Sequence, residues 1–303
     1  MMDVIGVGAL NLDKLYIVEK IARGGEEIPI ISLKESPGGS AANTIAALAR
    51  LGMRVGFIGK IGSDREGELI LKDLEKEGVD IKGIARSKGR TGIILGFVDS
   101  SGERALYAYP GVNDELQINE SNLSYARQAK FLHLSSFVGE RSYQAQKKLL
   151  DKLSGVKISF SPGMLYARKR LENLKQMIEK SFVIFLNEEE IELITGKDYR
   201  RGAPMLLELG AKLVVVTLAH RGCFVAGSSE SHEIEAYPVK VVDTTGAGDA
   251  FAAGFLYGLL LEKDLKTCGK LGNKVASLCI GKVGARESLP YRKDLENFIS
   301  SLE

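Results

Sequence analysis

The stretch Asp243-Thr244-Thr245-Gly246-Ala247-Gly248-Asp249-Ala250-Phe251 joins an apolar run, residues 236–242, to a long apolar helix predicted over residues 250–261. Backbone amides in a glycine-rich turn at the N-terminus of a helix form a concave site for an anion. A carboxylate at Asp249 would repel a phosphate, but it can accept a proton from a hydroxyl group that attacks a phosphoryl group. The stretch therefore indicates an anion cradle beside a general base.

A structural interpretation of the same stretch is also open. Gly246 and Gly248 would form a tight turn, and Asp249 would be the N-cap of the following helix. The other motifs of the chain favour the chemical interpretation.

Six ordered motifs resemble the PfkB, or ribokinase-like, family of sugar and nucleoside kinases, whose C-terminal signature is similar to residues 243–255. The other five are Gly6-Val7-Gly8-Ala9-Leu10-Asn11-Leu12-Asp13, Pro37-Gly38-Gly39-Ser40-Ala41-Ala42-Asn43, Gly59-Lys60-Ile61-Gly62-Ser63-Asp64, Asn187-Glu188-Glu189-Glu190 and Thr217-Leu218-Ala219-His220-Arg221-Gly222. The resemblance covers nearly the whole chain. It implies a kinase that uses ATP and Mg²⁺ to phosphorylate an alcohol group of a sugar or nucleoside. In that reaction Asp249 is the general base, and the Gly246, Ala247 and Gly248 amides stabilise the charge on the phosphoryl group.

Composition agrees with a soluble enzyme of this kind. The 303 residues are 45% hydrophobic and carry a net charge of +2, without a long basic run. This balance argues against nucleic acid as a partner. Three widely spaced cysteines fit neither a zinc cluster nor a disulfide framework. A strand pattern within the first residues predicts no signal peptide, and no apolar run reaches the roughly 20 residues that span a bilayer. We expect a cytoplasmic protein without a membrane partner.

Strand and helix patterns alternate along the chain, which predicts an α/β fold with a doubly wound, mostly parallel sheet. The predicted strands are 4–7, 55–61, 131–134, 157–160, 183–186 and 213–217, and the predicted helices are 41–51, 66–77, 143–153, 188–195 and 265–278. No repeat, low-complexity tract or linker divides the chain, so we expect a single kinase domain over residues 1–303.

Two segments, 15–33 and 91–109, break this rhythm with pairs of alternating strands. Their turns are predicted at Arg23-Gly24-Gly25 and Ser100-Ser101-Gly102-Glu103. The resemblance implies that they form a small β-sheet lid over the substrate cleft, from about residues 14–36 and 90–111. The alternating apolar residues supply more surface than a thin lid can hide, which predicts an interface. The resemblance implies that this interface is a homodimer contact through the lids. A lid that folds onto its own large domain is the alternative. The alternating apolar residues of the two segments are Leu15, Ile17, Ile28, Ile30, Leu33, Ile93, Leu95, Phe97, Leu106, Tyr107 and Tyr109.

Substrate-binding residues are predicted near the first strand. Asn11 and Asp13 follow its carboxyl end, where open α/β sheets bind ligands, and can grip adjacent hydroxyls of a polyol. An Asx turn is the alternative for this pair. Gly38 and Gly39 allow a close approach of backbone to a ligand or simply a flexible helix start. Asn43 lies one turn inside the next helix and is polar in an apolar segment, which favours a binding role.

The nucleotide and metal residues follow from the resemblance. Asn187 and Glu190, at i and i+3, organise the magnesium–phosphate region, with Glu190 acting through water. The structural alternative is a capping box, and both can hold together. The resemblance places nucleotide phosphate and ribose near Thr217 and Gly222, and adenine near Asn273.

A second cation is implied by the C-terminal region. In many relatives the acid that begins the signature, backbone after it and a late Gly-Ala turn bind a monovalent cation. The residues at comparable places here are Asp243, Thr245, Gly284 and Ser288, so we expect activation by K⁺.

Other function classes would leave their own signatures in the sequence. The chain contains no P-loop motif, and the Gly6-Val7-Gly8 turn lacks the third glycine of a dinucleotide-binding fold, so a dehydrogenase ranks last. A non-catalytic sugar- or nucleotide-binding regulatory protein on the same scaffold remains as a second class. Ribokinases also carry a glutamate where this chain reads Leu134-Ser135-Ser136-Phe137, and Phe160-Ser161-Pro162-Gly163 resembles nucleoside-type members. A nucleoside kinase therefore stays open beside a sugar kinase.

Overall fold

The computed structural model describes residues 1–101, 103–282 and 284–301. The strands are β1 (Met2–Val7), β2 (Asn11–Val18), β3 (Ile30–Gly38), β4 (Val55–Gly62), β5 (Asp80–Ser87), β6 (Gly92–Val98), β7 (Arg104–Tyr109), β8 (Ala129–Ser135), β9 (Lys157–Ser161), β10 (Ser181–Asn187), β11 (Leu213–Thr217), β12 (Cys223–Gly227) and β13 (Ser231–Ile234). The α-helices are α1 (Ser40–Arg50), α2 (Arg65–Lys76), α3 (Glu120–Ala126), α4 (Glu140–Lys152), α5 (Gly163–Ala167), α6 (Arg170–Lys180), α7 (Glu188–Thr195), α8 (Tyr199–Glu208), α9 (Ala247–Leu260), α10 (Leu265–Ile280) and α11 (Glu296–Ser300). Short 3₁₀ helices span Gly111–Glu115, Ala219–Arg221 and Arg292–Leu295.

Most strands belong to one large sheet. Across the described ranges its nine strands follow the order β13-β12-β11-β10-β9-β8-β1-β4-β5. In this spatial order, all neighbouring strands between β11 and β5 pair in parallel. Strands β12 and β13 extend the sheet beyond β11 by antiparallel pairing. The chain runs outward from β1 through β4 to β5 and then returns to β8 on the other side of β1. The carboxyl ends of β1 and β8 therefore form a topological switch point, where open sheets of this kind bind ligands.

Helices cover both faces of this sheet and bury two hydrophobic cores. Helices α1, α2, α9 and α10 pack on one face, around Phe57, Phe251 and Phe255. Helices α3 to α8 pack on the other, around Phe160 and Tyr166. The predicted doubly wound, mostly parallel α/β fold is confirmed.

A second, smaller sheet is built from the two excursions. Its order is β3-β2-β6-β7, with β2 and β6 parallel and the outer pairs antiparallel. Lys34 on β3 forms an ion pair with Glu287 at 2.8 Å, and Arg104 at the start of β7 donates to Thr245 Oγ1 at 3.4 Å. Lys14 on β2 also pairs with Glu66 on α2 at 2.9 Å, so at least three strands of the small sheet contact the large body. Gly102, in the predicted second turn, lies outside the described residues.

The predicted boundaries hold best where a glycine ends a helix. Gly52 and Gly78 follow α1 and α2 with left-handed φ angles of 87° and 78°, and Gly196 caps α7 at 69°. The edge strand β5 was not predicted, because its sequence DIKGIARS contains a glycine and does not alternate regularly between polar and apolar residues. In the described part of the chain no helix combines the length and apolar character needed to cross a membrane.

Candidate active site

The start of helix α9 is set by Gly246. This residue adopts a left-handed φ of 79°, and a Cβ atom on it would lie 2.8 Å from the Cβ of Ala285. Both facts require glycine here. The Ala247 amide donates to the Thr244 carbonyl at 3.2 Å and closes the turn. The helix thus begins three residues before the predicted position 250, and Asp249 lies in its first turn.

Asp249 does not cap helix α9, so the capping interpretation is wrong. The N-cap is Gly246, and the Asp249 side chain contacts helix α1 instead. Its Oδ1 accepts from Ser40 Oγ at 2.6 Å, and its Oδ2 accepts from Asn43 Nδ2 at 2.9 Å. Thr44 Oγ1 donates to the Asp249 carbonyl at 3.3 Å. These bonds tie the N-terminal turns of α1 and α9 together around one carboxylate.

Two carboxyl groups in this region have raised pKa values. Burial raises the pKa of Asp249 to about 6, against the lowering effect of bonds from Ser40 and Asn43 and of the Arg286 charge. Burial also raises the pKa of Asp13 to about 7, which Arg286 lowers and Asp249 raises further. A base with a pKa near 6 is ionised at neutral pH and still accepts a proton readily.

Asn11 and Asp13 are the first and third residues of strand β2 and do not form an Asx turn. The Asn11 Oδ1 accepts from Asn113 Nδ2 at 2.9 Å, and buried Asn113 also pairs with the Leu10 backbone at 3.0 Å in both directions. Asn11 is therefore held rigidly. Asp13 Oδ1 is buried and has no hydrogen-bond partner among the described residues, which leaves an acceptor for a ligand hydroxyl.

The glycine pair is explained by neighbours in the protein. A Cβ on Gly38 would lie 2.3 Å from Asp13 Oδ2, and one on Gly39 would lie 2.2 Å from the Ala9 carbonyl oxygen. Gly39 also has a φ of 106° and is the N-cap of α1. These glycines make room for the Asp13 carboxylate and start the helix that carries Asn43.

A cavity of about 770 Å³ adjoins the start of α9. Ala247 and Gly248 form part of its wall, together with apolar Tyr237, Val239 and Phe251. A cavity of this size with an apolar wall and few polar groups suits a nucleotide. Val239 and the neighbouring Val241 are 39% and 56% exposed, as expected of side chains that a flat nucleobase would cover.

Four residues predicted for the nucleotide gather at this cavity. Asn187, Thr217, Gly222 and Asn273 all line it. Thr217 pairs with Asn187 across β10 and β11. Gly222 needs to be glycine, because a Cβ would lie 2.0 Å from the Ile234 carbonyl oxygen. The Asn273 amide donates to the Ile234 and Glu235 carbonyls at 3.0 Å and so fixes the backbone beside the cavity.

Asn187 and Glu190 form a capping box at the start of α7. The Glu190 amide donates to Asn187 Oδ1 at 2.8 Å, and the Asn187 amide donates to Glu190 Oε2 at 3.0 Å. Burial raises the pKa of Glu190, with a further contribution from Asp249. Glu190 therefore lies in the first turn of α7, directly after Asn187, which lines the cavity.

The four residues predicted for a monovalent cation are also brought together. Asp243 accepts from the Thr245 amide at 2.9 Å, from Thr245 Oγ1 at 2.6 Å and from the Gly284 amide at 2.9 Å, and Ser288 Oγ donates to the Gly284 carbonyl. Burial raises the pKa of Asp243, but these hydrogen bonds outweigh it and the pKa is lowered. The cluster therefore keeps a negative charge, although no group of three or more acidic, histidine or cysteine side chains able to hold a metal occurs in the described ranges.

Comparison with known proteins decides the family. The model of the pfkB family of carbohydrate kinases matches residues 1–292. The chain belongs to the pfkB family of carbohydrate kinases. Family members such as ribokinase and fructokinase are ATP-dependent kinases with an alcohol acceptor, and this pfkB protein is an enzyme of that class. The dehydrogenase interpretation is therefore wrong.

Individual relatives show the range of the family. An uncharacterized sugar kinase of Archaeoglobus fulgidus is 42% identical over 250 residues, which cover 82% of this chain and 99% of its own. An ATP-dependent ribose-1-phosphate kinase of Halopiger xanaduensis is 31% identical over 301 residues, 99% of each chain. The structure of Arabidopsis thaliana ribokinase complexed with ribose and ATP is 25% identical with a TM-score of 0.86 and covers 98% of both chains. Nucleoside kinases are also among the relatives.

Sequence reasoning missed three residues of this pfkB site. Ser40 and Asn113 contact Asp249 and Asn11, as described above. Arg286 is 4% exposed and donates to Asn43 Oδ1 at 3.2 Å. The sequence offered one signal for Arg286, because it is an arginine between Gly284 and Ser288, in a segment predicted to bind a cation.

Proposed function

We propose that this pfkB kinase transfers the γ-phosphoryl group of ATP to a terminal hydroxyl of a sugar, with Asp249 as the general base. The observation that carries the proposal is the position of Asp249. Its chain neighbours Ala247 and Gly248 line the cavity of about 770 Å³, while its carboxylate contacts Ser40 and Asn43 at the end of the site that holds Asp13. Donor and acceptor thus meet at one carboxylate.

The chemical step follows from this placement. The acceptor hydroxyl gives its proton to Asp249 as its oxygen bonds to the γ-phosphorus. The bond from that phosphorus to the bridging oxygen breaks, and its electron pair stays on ADP. The N-terminus of α9, with the amides of Gly246 and Gly248, opposes the charge on the transferred group, and Ala247 holds the turn that presents them through its bond to Thr244. Asp249 then returns its proton to water.

The acceptor site suits a neutral polyol. Asn11, Asp13 and Asn43 present amide and carboxylate groups, and the unpartnered Asp13 Oδ1 can accept a bond from a sugar hydroxyl. The Asp249 carboxylate, together with Asp13 where it is ionised, repels an anionic group at that end of the substrate. A nucleoside is the second candidate, because strand β8 ends in Ser135 without the glutamate of ribokinases and nucleoside kinases occur among the relatives.

The site suits a magnesium ion that is bound mainly by water and by the phosphates of the substrate. Mg²⁺ usually keeps several waters and needs only one or two carboxylates beside substrate phosphates. Glu190 offers one carboxylate, oriented by Asn187 at the edge of the cavity. Bound there, the ion neutralises phosphate charge.

Potassium fits the cluster of Asp243, Thr245, Gly284 and Ser288. The lowered pKa of Asp243 keeps it ionised at neutral pH, and the carbonyl and hydroxyl oxygens around it are suitable ligands for a hard cation. The small sheet touches both segments of this cluster, through Arg104 on Thr245 and Lys34 on Glu287. We therefore propose one kinase domain over residues 1–303 whose lid, about residues 14–36 and 90–111, closes against the cation-binding segments.

An ADP-release screen tests the function. Purified protein with ATP, Mg²⁺ and K⁺ is offered ribose, fructose, ketodeoxygluconate, ribose 1-phosphate, adenosine, guanosine and cytidine, with Asp249→Asn as the background. ADP release above that background with a sugar supports the proposal, and release only with nucleosides supports the second candidate. Binding of a sugar without turnover of ATP contradicts catalysis and returns the chain to a regulatory role.

A further inference from the structure

Arg286 is a buried arginine whose contacts the reaction described above does not use. Its side chain is 4% exposed. One guanidinium nitrogen forms an ion pair with Asp73 on α2, and another donates to Asn43 Oδ1 on α1 at 3.2 Å. Its Nε is buried without a hydrogen-bond partner among the described residues. A side chain that costs this much desolvation needs a role beyond filling space.

The bond to Asn43 fixes which way that amide faces. Arginine has only donors, so the oxygen of Asn43 must face Arg286. The Nδ2 of Asn43 must then face Asp249, where it donates to Oδ2 at 2.9 Å. Because Nδ2 can only donate, this bond requires Oδ2 to accept, which favours the ionised carboxylate. Asp73, Arg286, Asn43 and Asp249 thus form one chain of contacts across four segments of the fold.

The charges around Asp249 add to this arrangement. Asp13 on β2 and Glu190 on α7 are negatively charged when ionised, and the Cys279 thiol on α10 also interacts with Asp249. Arg286 is the positive charge that acts on both Asp249 and Asp13. Its charge opposes the effect of burial, which raises the pKa of both carboxyl groups.

We propose that Arg286 is a positioning residue for the reaction: it orients Asn43 so that Asp249 stands ionised and aimed at the acceptor hydroxyl, with Asp73 holding the guanidinium in place. This inference rests on the proposed role of Asp249 as the general base. It assigns a function to the C-terminal segment that is independent of cation binding.

Arg286→Met, Arg286→Lys and Asp73→Asn test the proposal, with Arg50→Met as the matched control. Arg50 is a second arginine with little exposure, 9% for its side chain, which pairs with Glu77 and donates to the Leu289 carbonyl at 2.7 Å. It holds the same C-terminal segment without contacting Asn43. For each variant the pH profile of kcat, the KM for ATP and the melting temperature are measured with the acceptor found in the screen.

We expect Arg286→Met to lower kcat by about tenfold, since a misplaced catalytic group costs up to about 100-fold. The acidic limb of its profile moves to higher pH by about 1 unit, the scale of a lost neighbouring charge. Arg286→Lys keeps the limb near its wild-type position because the charge remains. Asp73→Asn lowers kcat in the same direction, and it provides the test if Arg286→Met does not fold. Arg50→Met lowers the melting temperature without moving the limb.

The proposal is overturned if the folded Arg286 and Asp73 variants behave like the Arg50→Met control. In that case kcat falls only as far as the melting temperature does, and the acidic limb of the pH profile stays in place. A different result addresses the base itself. If the wild-type profile shows no acidic limb that Asp249→Asn abolishes, the proposed role of Asp249 fails, whatever Arg286 does.

Discussion

Asp249 is a carboxylate that the protein keeps at a cost in stability. Burial raises its pKa to about 6, and only the donors Ser40 and Asn43 and the charge of Arg286 oppose that effect. Such a group destabilises the native state at neutral pH, where it must be ionised in a desolvated place. Retaining it there is expected of a group selected for proton transfer.

The first prediction removes that group. Asp249→Asn should lower kcat by about 100-fold or more, the scale of a lost general base, while ATP still binds. Helix α9 should persist, because Gly246 and not Asp249 is its N-cap. Stopped-flow or coupled assays give kcat, and circular dichroism checks the fold. Near-normal turnover of the purified variant would remove Asp249 from the chemistry.

The second prediction concerns stability and pH. The native pKa of Asp249, about 6, lies above the unfolded value of about 3.9. Between these values the native state binds more protons, so the free energy of unfolding falls as pH rises from 4 to 6 and stays low above. Asp249→Asn should therefore stabilise the protein at pH 8 by about 1 to 3 kcal/mol, and the gain should vanish at pH 4. Urea titrations at both pH values measure this, and an equal gain at each would contradict the raised pKa.

The third prediction separates the two glycines of the anion cradle. A Cβ on Gly248 would meet no protein atom within 4 Å, and the residue lines the cavity. Gly248→Val should leave the melting temperature unchanged and raise the KM for ATP, because the new side chain occupies the nucleotide's space. Gly246→Ala should instead lower the melting temperature, since position 246 has a φ of 79° and contacts Ala285. Equal thermal effects of the two substitutions would show that the cradle is only a turn.

Individual residues could be predicted where a local motif carried them. Asp249, Asn187 and Asn43 stand in short motifs whose spacing is readable, and the structure brings each to the site. Arg286 could not be predicted, because it reaches Asn43 across 243 positions of sequence and only the fold brings them together. The contact of the Asp249 carboxylate with α1 could not be predicted for the same reason.

Elements were predictable where periodicity and a terminating signal agreed. Helix α7 has the predicted bounds, since its capping box and Gly196 mark both ends. The start of α9 was misplaced because the left-handed Gly246 begins the helix before its apolar pattern does. Strands β12 and β13 went unpredicted, since short antiparallel edge strands have weak periodicity.

The fourth prediction belongs to helix α7. Glu190→Gln keeps an acceptor for the Asn187 amide, so the capping box and the stability should be retained. The loss of charge should raise the Mg²⁺ concentration for half-maximal rate by about tenfold, the scale of an outer-sphere partner. Asn187→Ala should instead lower the free energy of unfolding by about 1 kcal/mol. Exposed Glu192→Gln on the same helix is the control, and a Mg²⁺ dependence equal to that control would leave Glu190 with a capping role alone.

The whole molecule combines an α/β body, whose sheet is covered by helices on both faces, with a small sheet that keeps apolar surface exposed. Apolar side chains of that sheet remain in solvent, including Ile31 at 67%, Leu33 at 50%, Leu106 at 55% and Tyr107 at 62% exposed. A four-stranded sheet gains independent stability only by burying one face. Ion pairs such as Lys34–Glu287 and Lys14–Glu66 join this sheet to the body, and these polar contacts leave the apolar groups named above exposed.

We propose that a second copy of the chain covers them, so that two lids pair in a homodimer. Contiguous exposed apolar surface usually marks an interface, and a lid held by its partner would close over the cleft and exclude water that competes for the phosphoryl group. Light scattering at micromolar concentration should give twice the chain mass of 32.9 kDa. Ile31→Lys combined with Tyr107→Lys should yield monomers, because buried lysines in a paired interface lack partners. Leu193→Lys, at an exposed apolar position on α7, should leave the mass unchanged. A wild-type monomer with and without substrate would contradict the dimer, and full activity of that monomer would show that the lid closes without a partner.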